Sequence, residues 1–286
     1  MGLKSRFLNI GRVVHDASFV ALERCPTHEK IQTLCQLVRV GLAPPILRGS
    51  APAVGKKNFR VRYLDAASLW QVYHEIFIRH AYFFRAENET PLILDCGANI
   101  GMATLYFKTL YPRCTIEAFE PDPPTFSTLK ENVIRNGLEG IHLHPCALWD
   151  MEGEVDFYVH SETAGELRMS VWPGRLDGHN SRITARAVPL SRFLKGRVVD
   201  FLKMDIEGAE ERVLAEATRN SGLANVKQMA IEYHHPPGRE PSHLARVLAM
   251  IEQQGFDYEV CADIRPLALQ DPTHDVTIYA RRWTPA

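Results

Sequence analysis

The sequence predicts an α/β protein: a doubly wound sheet, mostly parallel with an antiparallel edge strand, behind a partly helical N-terminal extension. Three observations predict it. Apolar runs that read as buried strands alternate four times with segments of helical spacing, the order of a parallel sheet covered on both faces. Residues 91–120 (PLILDCGANIGMATLYFKTLYPRCTIEAFE) read strand, Gly-rich turn, helix, strand, acid, a βαβ unit of the kind that holds a nucleotide-like ligand. Near the end, two strand patterns follow each other with no helix between them, as in an antiparallel hairpin at a sheet edge.

In order, the chain divides into an extension over residues 1–67 and a larger domain over residues 68–286. Within Glu29–Val40, Ile31, Leu34, Leu37 and Val38 are spaced for one helix face, and Gly41 with Pro44-Pro45 ends that helix. Asn58–Leu64 alternates around Phe59, Val61 and Tyr63 and predicts a short edge strand. Ser68–Arg85 predicts one aromatic amphipathic helix, with Tyr82 near its end toward the ligand mouth. This helix would cover the site or pack on a second subunit as a homodimer.

Leu92-Ile93-Leu94 is the first core strand. Met102, Leu105, Tyr106 and Leu110 line the helix after it, Pro112 stops that helix, and Thr115–Phe119 is the second strand. Phe126–Arg135 is a helix with Asn136-Gly137 as its C-cap, and Ile141–Leu148 is a third strand. Glu154–Val159 and Ile183–Val188 read as a hairpin pair around the polar stretch Ser161–Arg182, which contains Trp172-Pro173-Gly174. A loop of that length in a compact domain is usually functional or disordered, and we expect it to face the substrate. Val198–Met204 is a fourth buried strand, followed past Gly208 by a helix with Val213 and Leu214 inward; Val226–Tyr233 is the fifth. Pro241 opens a helix lined by Leu244, Val247, Leu248 and Ile251 and capped by Gly255. Phe256–Cys261 and Val276–Arg281 are the closing pair.

The turn after the first strand carries the chemistry. Gly97 and Gly101 let backbone approach a ligand, and Asn99 is the side chain that best tolerates a left-handed turn. Glu120 follows about 20 residues on, where an acid reaches ribose hydroxyls. Two ligands fit. A dinucleotide site reads G-x-G-x-x-G and seats a pyrophosphate. Here the turn is G-x-N-x-G directly after Asp95, an acid that repels phosphate and suits an ammonium or sulfonium ligand such as S-adenosylmethionine (SAM). The other strand ends add Asp205 with Glu207, and Glu232 with His234 and His235; adjacent strands would bring all of them to one sheet edge.

Composition narrows the partners. The formal net charge of −1 exerts no global pull on nucleic acid or an anionic membrane, and no run is long enough to span one. Charged residues break up the first 20 positions, so no signal peptide is expected, and the expected setting is cytoplasmic. The six cysteines form no C-x-x-C pair and read as reduced, mostly buried residues.

The pair DCGANIG and KMDIEGAE (Lys203–Glu210), with IEYHH on the next strand, resembles the FkbM family of SAM-dependent methyltransferases over about Ser68 to Arg281. The K-x-D-x-E-G block is specific to that family, whereas the Gly-rich loop is shared by many methyltransferases. The resemblance implies a class I methyltransferase (Rossmann-like) fold, SAM as cofactor and a hydroxyl acceptor on a sugar, lipid or secondary metabolite. It implies that Asp95, Gly97, Ala98, Asn99 and Gly101 hold the amino acid end of SAM. Glu120, with Pro121 beside it, holds the ribose; Ala147 borders adenine; Asp205 lies by the methionine moiety and the acceptor.

In-line methyl transfer to a hydroxyl then needs a general base. His234 is the first choice, oriented by Asp205 or Glu232, while His235 points the other way and Lys203 is a structural ion-pair partner. A Mg²⁺ variant would use Asp205, Glu232 and His234, but Mg²⁺ prefers oxygen ligands, so no metal is assigned. Nucleic acid is not the expected acceptor, because the fourth strand ends in MDIEG and not in Asn/Asp-Pro-Pro-aromatic. The rival readings are an NAD(P)-dependent oxidoreductase and a non-catalytic SAM-binding protein.

Overall fold

A computed structural model of the chain describes residues 17, 31, 33–36, 38, 40, 50–55, 57–160, 169–172, 180–220, 222–235, 243–262 and 275–282. Among the described residues the main sheet has seven strands. They are β3 (Leu92–Cys96), β4 (Thr115–Phe119), β5 (Ile141–His144), β10 (Val199–Met204), β11 (Val226–Tyr233), β12 (Phe256–Cys261) and β13 (Val276–Arg282). Their spatial order is β5-β4-β3-β10-β11-β13-β12. The pairs from β5 to β11 are parallel, and β13 runs antiparallel to both β11 and β12. The predicted hairpin therefore closes one edge, with its antiparallel strand one place in from the rim.

Strand order reverses between β3 and β10, the switch point where an open α/β sheet binds its ligand. The two strands stay paired to their ends, where the Asp205 N–H donates to Cys96 O at 3.0 Å. Ile93 and Leu94 face opposite sides, each fully buried in a different apolar layer, as a strand covered on both faces requires.

Helices cover the sheet: α1 (Ala66–Tyr73), α2 (Met102–Leu110), α3 (Pro123–Arg135), the short α4 (Ser191–Leu194), α5 (Glu210–Asn220) and α6 (Leu244–Gln253). Asp122 caps α3 by accepting the Thr125 N–H, and two prolines occupy its first turn. A second sheet stands beside the main one, built from β6 (Ala147–Trp149), β7 (Gly153–His160), β8 (Met169–Ser170) and β9 (Asn180–Pro189) in the order β6-β9-β7-β8. Strands β1 (Ser50–Val54) and β2 (Phe59–Arg62) form a hairpin on α3. Val40, Val54 and Val61 of the extension share one core with Ile93, Leu105 and Phe107. No helix among the described residues is long and apolar enough to cross a membrane.

Three local expectations change. The helix read over Ser68–Arg85 stops at Tyr73 and continues as one widened turn, His74–Ile78, in which the Arg79 N–H reaches back to His74 O. The wide turn buries Ile76, Phe77 and Ile78 together, which regular helical spacing cannot do for three adjacent residues. The strand read over Ile141–Leu148 breaks after His144, because Pro145 has no N–H for the ladder, and Ala147–Trp149 joins the second sheet instead. The loop Ser161–Arg182 contains the short strand β8, and β9 starts within it at Asn180. The expected helix start at Pro241 lies outside the described residues.

Candidate active site

The turn between β3 and α2 is shaped by contacts that leave no room. Gly97 has φ of 83°, and a Cβ there would lie 1.8 Å from Asp205 O. Asn99 adopts φ of 50°, the left-handed turn expected of it, and its own Oδ1 accepts the Ile100 N–H. Gly101 begins α2 at φ of 92°, with the place of its missing Cβ 2.7 Å from Leu129. Every N–H of this turn is bound inside the chain. Gly97 and Ala98 donate to Phe119 O, Asn99 to Glu120 Oε2, Ile100 to Asn99, and Gly101 to Ala98 O. Glu120 takes the Asp122 N–H on its other oxygen at 2.9 Å. Burial raises the Glu120 pKa to about 8, against the lowering effect of those two N–H groups.

Below the turn sits Lys203, buried and shared by two acids. Its Nζ is 3.6 Å from Asp95 Oδ1 and 3.3 Å from Asp205 Oδ2, and it donates to Gly97 O at 2.5 Å. Burial opposes its charge, but Asp205 and Asp95 outweigh burial and raise its pKa. Asp95 is fully buried; Thr104 donates to its Oδ2 at 2.7 Å, and its Oδ1 has no hydrogen bond. The Tyr82 ring lies 5.4 Å from Lys203 Nζ, so the segment from the wide turn to Tyr82 forms a wall of the site.

At the end of β11, His234 is 3% exposed. Its Nδ1 is 2.9 Å from Glu210 Oε1, and its Nε2 is 3.5 Å from Glu207 Oε2 and 3.8 Å from Asp205 Oδ1. Burial alone would lower the imidazole pKa, yet Glu210 and Glu207 raise it well above the ordinary value. Glu232 is pushed up by burial and then by Asp205. Glu75, on the wide turn, rises to about 7 through burial and the charge of Asp205.

Comparison with known proteins decides the family. The Methyltransferase FkbM domain matches residues 95–258, more than half of the chain. The chain belongs to the FkbM methyltransferase family. Methyltransferase 1 of Beauveria bassiana is 34% identical over 162 residues, 50% of this chain and 65% of that protein, so the chain spans slightly less than two thirds of that relative. The 31-O-demethyl-FK506 methyltransferase FkbM of Streptomyces tacrolimicus is 28% identical over 252 residues, 78% of this chain and 93% of the relative. The 2-O-methyltransferase NoeI of Sinorhizobium fredii is 29% identical over 144 residues, 45% of this chain and 58% of the relative. The seven-stranded order is the class I methyltransferase sheet that the motifs imply.

Within this family fold, the structure brings Gly97, Ala98, Asn99, Gly101, Glu120 and Asp205 to the switch point and sets His234 beside Asp205. Half-buried Pro121 follows Glu120 at the same rim. The other expected site residues have the following surroundings. Asp95 is fully buried beneath the turn, with Lys203 Nζ 3.6 Å from its Oδ1. Ala147 packs with Phe157 and Ala185 in the second sheet's small core, because the strand breaks before it. The imidazole is oriented by Glu210, neither by Asp205 nor by Glu232. Asp205, Glu232 and His234 do not form one ligand set among the described residues. The sets whose ligand atoms lie within 4.8 Å are Asp205, Glu207 and His234, and separately Glu232, His234 and Asp275. Glu75 and Glu210 are not legible as site residues in the sequence. Glu210 reads as a first-turn helix acid, and Glu75 as a helix surface charge, although its position just before Ile76-Phe77-Ile78 was the available hint.

Proposed function

We propose that this chain is a SAM-dependent O-methyltransferase acting on a hydroxyl of a small molecule, a sugar, lipid or secondary metabolite. The observation that carries the reading is the state of the switch point: every amide from Gly97 to Gly101 is already bound, and the carboxyl groups around the turn, Asp95, Glu120 and Asp205, outnumber its one cation, Lys203. A pyrophosphate needs free amides and a positive field. A ligand with ammonium and sulfonium charges needs the opposite. This favours SAM over a nicotinamide dinucleotide. The same acidic rim repels a nucleic-acid backbone. Two relatives carry an oxygen acceptor in their names, which supports oxygen here.

The turn Gly97–Gly101 would hold the cofactor, with Glu120 and Pro121 at the ribose and Asp205, part exposed beside Lys203, at the amino acid end. When bound, SAM supplies an electrophilic methyl group. His234 removes the acceptor proton at Nε2, and Glu210 at Nδ1 stabilises the imidazolium that forms. In the ligand-free chain the surrounding acids, Glu210 and Glu207 first, favour the protonated imidazole against the effect of burial. A cationic ligand at Asp205 lowers its pKa again by repulsion.

Calorimetric titration with S-adenosylhomocysteine and with NADH tests this, alongside Glu120→Ala. Binding of the first alone, lost in Glu120→Ala, is expected. Binding of NADH, or of neither, sinks the reading. Binding without turnover on any hydroxyl acceptor would favour a non-catalytic role.

A further inference from the structure

We propose that Ser170 and Trp172, where the second sheet meets the site, are positioning residues that hold the Glu207 carboxylate against His234. The functional meaning of this contact rests on His234 being the base; the geometry does not.

Glu207 has φ of 57°, a left-handed conformation that a residue with a Cβ keeps only when its surroundings impose it. Those surroundings come from the segment Met169–Trp172. The Val171 N–H donates to Glu207 O at 3.3 Å and the Ser170 hydroxyl to the same oxygen at 3.4 Å. Ser170 is fully buried, and its Oγ also accepts the Trp172 N–H at 3.1 Å, so one hydroxyl ties the strap to itself and to Glu207. Next to Glu207, Gly208 has φ of 105°, and a Cβ there would lie 2.5 Å from the Trp172 ring. The indole is seated where only glycine admits it. From the other side Glu210 Oε1 takes the N–H groups of Ile206 and Gly208.

The backbone of Glu207 is thus clamped between the strap and α5, and its Oε2 is left 3.5 Å from His234 Nε2. The other acids acting on the imidazole are Asp205, Glu210, Glu232, Asp275 and Glu75. Glu207 is held by residues from the second sheet through its carbonyl oxygen. Residues 169–172, part of the stretch expected to face the substrate, therefore contact the residue whose carboxylate lies beside the imidazole.

The test is an NMR titration of histidine Cε1–H signals in the ligand-free full chain, with His234 assigned by its loss in His234→Gln. Glu207→Gln should lower the His234 midpoint by about half a pH unit or more, since it removes a neighbouring charge. Ser170→Ala and Trp172→Leu should shift it in the same direction, with His243, paired to Glu211 at 2.7 Å, unmoved. Ser170→Ala deletes one oxygen only, so it decides the matter even if Trp172→Leu does not fold. An unmoved His234 midpoint in Ser170→Ala or in Glu207→Gln overturns the proposal. So does an equal shift of His243, which would mean general loosening. The titration uses neither cofactor nor acceptor, so failure to methylate any hydroxyl leaves its result standing.

Discussion

A methyl group added at Gly97 would meet the Asp205 carbonyl at 1.8 Å and would require φ of 83° from a residue with a Cβ. Gly97→Ala must therefore push apart the paired ends of β3 and β10. We expect a loss of about 2–4 kcal/mol in urea unfolding, together with the loss of S-adenosylhomocysteine binding. Glu120 offers a pH signature. Its pKa is raised to about 8 by burial, and only the ionised form accepts freely from ribose hydroxyls. Affinity for S-adenosylhomocysteine should rise about tenfold between pH 6.5 and 8.5 and go flat in Glu120→Gln. For His234 the sign is similar: a base needs its free form, and the acids around it raise its pKa. Once an acceptor is turned over, kcat/KM should climb with pH past the ordinary imidazole range. A rate that falls over that range would remove His234 from the role.

Among the elements, the hairpin of the extension is held by two asparagines of α3 with unequal duties. Asn132 accepts from the Arg62 N–H at 2.6 Å and donates to Arg62 O and Ile100 O, all by one buried amide. Asn136 makes the corresponding pair of bonds to Arg60 in an exposed position. Asn132→Ala should cost about 2–3 kcal/mol in urea unfolding because it strands buried backbone groups, and Asn136→Ala less than about 1 kcal/mol because water replaces it. Equal costs would mean that burial does not decide between them. The wide turn His74–Ile78 is the other element whose form matters to function. It buries three adjacent apolar residues and brings Glu75 within electrostatic reach of Asp205, Lys203 and His234.

At the scale of the molecule, ionisation sets stability in two opposite ways. Glu117, on β4, is 2.7 Å from His144 and 2.6 Å from Arg197. Burial works against its charge, but these partners prevail and lower its pKa to about 2. A depressed carboxylate contributes stability above its unfolded pKa and loses it as pH falls from about 4.5 toward 2. The contribution is on the order of 1–3 kcal/mol after screening, and Glu117→Gln should flatten acid unfolding by that amount. Glu75 and Glu120 have raised pKa values, about 7 and about 8, so their effect is the reverse. The ligand-free chain should lose Tm as pH rises through 7 to 8, a slope that Glu120→Gln reduces.

Much of this was legible in local pattern. Val226–Tyr233 has the bounds read from its apolar run, and Asn99 takes the left-handed turn its side chain tolerates. Periodicity, glycine and proline act through near neighbours, so local pattern is enough to give the strands, most helices, the turn and the acids at the strand ends. Which acid meets which imidazole was decided elsewhere. Asp205 and Glu232 are the acids the strand ends offer to His234, yet Glu210 from the first turn of α5 takes Nδ1. Pro145 diverts Ala147 into a second sheet, and that sheet returns Trp172 to Gly208. These choices belong to the tertiary structure, because a carboxylate's partner is set by strand register and packing between residues far apart in the chain, which no local spacing encodes.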